Sequence, residues 1–114
     1  MCMSAGVSFA AGVFLVAGGV AITSIAVKRN LRYLPLALMP LFAGLQQFME
    51  AGVWLGMTGA NPSAVQLGAM GFMFFTWFMW PVWIPFCVYV LEPTESRRKP
   101  IFLALALIGL VFGL

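Results

Sequence analysis

From Ala5 to Val27 the chain carries no charged side chain, and then Lys28, Arg29 and Arg32 follow almost at once. At about 1.5 Å per helical residue, a run of this length crosses the roughly 30 Å of a bilayer's hydrocarbon. Further apolar runs cover about 34–57, 65–91 and 101–114. A soluble domain needs more polar surface than a chain that is 63% hydrophobic and 8% charged can supply. The expected fold is all-α: a polytopic transmembrane helical bundle forming one domain, 1–114, with three full spans and a fourth begun. The first run does not read as a signal peptide, because no basic residue precedes it and no polar cleavage region follows. The last run is too short to cross the hydrocarbon, so the expectation is that it continues past Leu114.

The breakers fall where such a bundle needs them. Pro35 and Pro40 lie near the start of the second run, and Pro40 should kink it or mark its first turn. Gly59, Asn61 and Pro62 mark a short polar turn over 58–64. Pro81 and Pro85 predict a bend inside the third run. Small residues four apart, Ser4–Ser8–Gly12, Gly52–Gly56 and Gly109–Gly113, let helix backbones approach closely.

All six basic residues lie in two loops: Lys28, Arg29 and Arg32 in one, Arg97, Arg98 and Lys99 in the other. The positive-inside rule puts both in the cytoplasm, with the N-terminus and the 58–64 turn outside. These clusters also suit anionic headgroups, although a topology signal alone accounts for them. Two short clusters and a net charge of +3 do not suggest nucleic acid.

The second run contains "QQFMEAGVW", and Glu50 is the one carboxylate well inside any run. An ionised group in the hydrocarbon costs at least about 2.5 kcal/mol, so Glu50 should face protein or water. Gln46, Gln47 and Trp54 stand at i−4, i−3 and i+4 from it and share its side of a helix. Glu50 is expected roughly 10 Å below the outer surface. Ser4, Ser8 and Gln66 fall at comparable depth, so these polar residues form one candidate cluster. Two readings stand: hydrogen-bonded glue between helices, or an ion, proton or small-ligand site.

Trp77, Trp80 and Trp83 follow at i, i+3 and i+6, which gives a slowly drifting aromatic face. It packs on a partner helix, or lines a cavity for a lipid, quinone or pigment; no cofactor is identifiable. "MCM" at the start, with Met49, Met57, Met70 and Met73, offers soft ligands of the kind Cu(I) takes. No CxxC or MxxxM spacing supports a metal site, and Met fills gaps in apolar cores; Cys2 is at most a weak ligand candidate. Cys2 and Cys87 make no disulfide framework. With no His, no Asp and no nucleophile–base pair, the chain does not read as an enzyme.

"MCMSAGVSFAAG", "QQFMEAGVW" and "WPVWIPF" followed by "LEP" resemble the DUF6629 type of bacterial multi-pass membrane protein. The resemblance spans most of the chain. It implies further helices and a bacterial inner or intracytoplasmic membrane, and supplies no activity. It singles out Cys2, Ser4, Gln46, Gln47, Glu50, Trp54, Trp80, Pro81, Trp83 and Pro85. The chain departs from it at Met3, where the family usually has Phe, and at Ala51, which separates Glu50 from Gly52. The expected function is a non-catalytic accessory or scaffold subunit of a larger membrane complex, respiratory or photosynthetic. Its partners are then the lipid bilayer and other transmembrane subunits. The alternative is a small transporter or ligand-binding membrane protein that uses Glu50 as a proton- or cation-linked site.

Overall fold

A computed structural model describes residues 3–114, and no strand occurs among them. Helix α1 spans Ala5–Arg29. The Ser4 hydroxyl oxygen accepts a hydrogen bond from the Val7 N–H at 3.3 Å and caps its start. Lys28 and Arg29 occupy its last turn, where cations suit the exposed carbonyls. The Asn30 N–H closes on the Ala26 carbonyl at 2.9 Å. The Asn30 side chain then accepts from the Arg32 N–H at 3.0 Å and opens a 3-10 turn, Leu31–Tyr33.

A short helix, α2 (Leu34–Ala37), follows, and Leu38 separates it from α3 (Met39–Thr58). The kink expected at Pro40 is realised as this break. Pro40 sits in the first turn of α3, where its missing N–H has no carbonyl to serve. Asn61 caps α4 (Pro62–Met73) by accepting from the Ala64 N–H at 3.3 Å, so the third run starts earlier than position 65. Phe74–Met79 then form a π-helical segment, and α5 (Trp80–Leu91) continues the same rod. Helix α6 covers Lys99–Gly113, with Pro100 in its first turn.

The irregularity expected around Pro81 lies just before it. The Trp80 N–H bonds to the Phe75 carbonyl, five residues back. Proline at 81 has no N–H to continue the regular ladder, and the wider turn accommodates that loss. The Thr76 hydroxyl also donates to the Phe72 carbonyl at 3.0 Å. Pro85 lies within α5, which runs on to Leu91.

Among the described residues, two helices, α1 and the rod Pro62–Leu91, are long and apolar enough to cross a bilayer. Helix α3 lies between them. Buried Ser8, Gly12, Gly19 and Ala26 form one face of α1. A side-chain carbon on Gly19 would stand 2.6 Å from the Leu41 nitrogen, so only glycine permits this approach. Gly12 meets Phe48, Val16 meets Gly44 and Gly19 meets Leu41, an antiparallel register that brings Ser8 level with Gly52. On the other side of α3, Gly68 lies against Met49 and Val53, and Gly56 against Val65. Gly109 and Gly113 seat α6 on Pro81 and Phe78. The expected Gly52–Gly56 ridge is only half used, because space is open at Gly52. The whole forms a slab of 55 × 32 × 18 Å, thinner than two helix diameters.

At one end of the slab, Arg32 reaches the end of α5. Its Nε donates to the Val90 carbonyl at 2.9 Å, and its Nη2 to the carbonyls of Leu91 (2.9 Å) and Glu92 (2.8 Å). These are the carbonyls a helix leaves without internal partners. Lys99 lies 5.0 Å above the Tyr89 ring nearby.

Candidate functional site

The polar residues of α3 divide between two surroundings. Gln46 turns toward the π-helical segment. The Trp80 indole N–H donates to its side-chain oxygen at 2.7 Å, and its amide nitrogen donates to the Thr76 hydroxyl at 3.1 Å. Indole is a donor only, so this orientation of the amide is the one that satisfies both neighbours. With the Thr76 bond to Phe72, three hydrogen bonds run in series from α5 through α3 to the rod's backbone. Thr76 escaped the sequence reading; a lone threonine in an aromatic run was its only signal.

Glu50, one turn further along α3, is 3% exposed. With Trp54, Met57, Phe72 and Met73 it lines an apolar cavity of about 420 Å³ between α3 and the rod. Gln47 is half-buried on the neighbouring strip of α3. Gln46, Glu50 and Trp54 thus lie along α3, but Gln46 is bound to the rod while Glu50 and Trp54 border the cavity.

The serines do not act alike. Ser4 is exposed and caps α1. Ser8 is fully buried on the face of α1 toward α3, and its hydroxyl has no hydrogen-bond partner among the described residues. Gln66 is exposed in α4, apart from the cavity. Cys2 lies outside the described residues, so its candidacy as a ligand does too; Cys87 is buried in α5. Met49 packs on Gly71, Met57 and Met73 border the Glu50 cavity, and Met70 is exposed. Among the described residues no cluster of three His, Cys, Asp or Glu comes together.

The expected single face of tryptophans is split. Trp80 serves Gln46. The Trp83 N–H donates to the Pro35 carbonyl at 2.9 Å, and its ring meets Phe42 edge-on at 5.0 Å. Trp77 is 64% exposed and borders a groove against α6 with Pro81, Pro85 and Ile108. The π-helical turn is the reason. It rotates the chain less per residue than an α-turn, so positions three apart across it no longer align.

Over residues 1–112 the sequence matches a family described as a family of unknown function, DUF6629. The chain belongs to the DUF6629 family. No curated protein and no solved structure matches it. The family match covers the Gln46–Trp80 bond, the Glu50 cavity and the Arg32 clip alike. Nothing in its description assigns any of them a task.

Proposed function

We propose that this DUF6629 chain is a multi-span integral membrane protein that acts as a non-catalytic scaffold subunit of a larger membrane complex. The Gln46 network carries this reading. An amide bonded at both ends, to Trp80 and to Thr76, holds α3 to the rod, which is a structural task. The thin slab adds support, since its surface carries many exposed large apolar side chains. Lipid or partner helices suit such a surface.

Burial supports the membrane setting. A core helix of a soluble protein is mostly buried, yet only 17% of the apolar window in α1 and 6% of that in the rod are inside the structure. The close packing of α1 on α3 favours a retained span over a cleaved signal. In the proposed topology α1, α3 and the rod span, α6 is a further membrane segment, and the N-terminus is outside. The Arg32 clip joins the two basic loops at one end, which supports putting both in the cytoplasm.

The test is purification in mild detergent from the native membrane. Co-migration with larger partners is expected; an isolated, monodisperse protein would overturn the subunit reading.

One observation favours a second reading, a ligand-binding or transport role. Glu50 borders a cavity of about 420 Å³, within the size range of small-molecule sites. A pH-linked uptake or binding signal that Glu50→Gln abolishes, with folding intact, would select it over the scaffold.

A further inference from the structure

A wide groove lies away from Glu50, beside the first basic loop. It holds about 630 Å³ between the end of α1 and the α2–α3 break, and Ile22, Ile25, Leu36 and Pro40 are among the side chains that wall it. Arg29 and Tyr33 stand at its loop end. From Ile22 to Arg29 is about 10 Å along the helix, so the groove runs from the basic loop toward the middle of the slab.

The two arginines at this end have different roles. Arg32 is committed to three carbonyls of α5. The Arg29 side chain has no hydrogen bond or ion pair with any described residue. An uncommitted guanidinium therefore sits at the mouth of an apolar channel, beside a tyrosine ring of the kind that favours the headgroup level.

We infer that this groove binds one anionic phospholipid, its acyl chain along Ile22 and Ile25 and its phosphate against Arg29. The inference rests on the membrane reading given above. Charge complementarity selects the occupant. A zwitterionic lipid would fill the channel as well, but only an acidic headgroup leaves a net negative charge for Arg29. Guanidinium also matches phosphate oxygens in a bidentate fashion. A neutral partner helix would leave Arg29 without a counter-charge.

The test uses the full chain in two steps. Alkaline carbonate extraction comes first. Release of the chain from membranes overturns the membrane reading, and the lipid site with it. Retention leads to native mass spectrometry from micelles doped with equal phosphatidylglycerol and phosphatidylcholine. The wild type is expected to retain one phosphatidylglycerol in preference. Arg29→Gln should reduce that preference about fivefold, the weight of one cation near an anionic surface. Ile25→Trp, at an exposed position, should fill the channel and reduce retention of both lipids. Arg97→Gln, in the other basic loop, should leave the preference intact. No preference in the wild type, or an equal loss in Arg97→Gln, overturns the lipid site while leaving the membrane reading in place.

Discussion

Trp80 and Gln46, 34 positions apart in sequence, are joined by a part-buried hydrogen bond of 2.7 Å between α3 and the rod. The bond ties the middle of α3 to the point where the rod returns from π to α geometry. It should therefore have a measurable coupling energy. A double-mutant cycle of Gln46→Leu and Trp80→Phe in detergent is expected to give about 0.6 kcal/mol and no more than about 1.7, the average and the upper end for polar pairs between membrane helices. A value near zero would remove this bond from the account of how the helices are held.

Arg32 makes a second, independent prediction. Arg32→Ala leaves the carbonyls of Val90, Leu91 and Glu92 without their side-chain partner. Its surroundings are exposed, so a loss of about 1 kcal/mol in thermal stability is expected. Arg32→Lys should recover only part of it, because an ammonium lacks the planar fork that reaches several carbonyls. Hydrogen exchange should report faster opening at the end of α5 in the alanine variant.

Glycine positions give a contrast within one protein. Gly19→Val drives a side chain into the Leu41 backbone and should destabilise by about 1 to 3 kcal/mol, or prevent α1 from docking. Gly52→Ala meets open space. It should leave the melting temperature unchanged or raise it slightly, since alanine favours helix over glycine. Thermal scans of the two variants in one detergent make the comparison.

The tryptophans separate in the same way. Trp83→Phe gives up the bond to Pro35 and alters the edge-on contact with Phe42, and should destabilise by about 1 to 2 kcal/mol. Trp77→Phe, at an exposed site, should change stability by less than about 0.5 kcal/mol. Indole emission should also differ. Quenchers dissolved in the lipid phase are expected to reach Trp77 more readily than Trp83.

Much of the architecture could be read from residue order, because apolar runs and their breakers act locally. Asn61, Pro62 and the uncharged stretch after Ala5 announce helix limits through their own backbone chemistry. Long-range partners are another matter. No local pattern shows that Arg32 will reach Val90, or that Gln46 will meet Thr76. Those pairings depend on helix register, which close-packed glycines such as Gly19 and Gly68 determine in three dimensions. The π-helical turn was also hidden, and so the tryptophans appeared to share a face that the folded chain divides. For Glu50, spacing alone identified a polar strip, but not that Gln46 leaves it for the rod while Glu50 borders a cavity.

The Arg32 clip also has a history within each molecule. A chain is made from its N-terminus, so Arg32 emerges 58 residues before Val90 can receive it. Through that interval its charge is available to orient the first hairpin in the proposed membrane. Once the end of α5 is complete, the same guanidinium becomes a mechanical tie across the finished fold. One side chain thus serves first as a signpost and later as a fastening, and a neutral substitute would weaken the two stages separately.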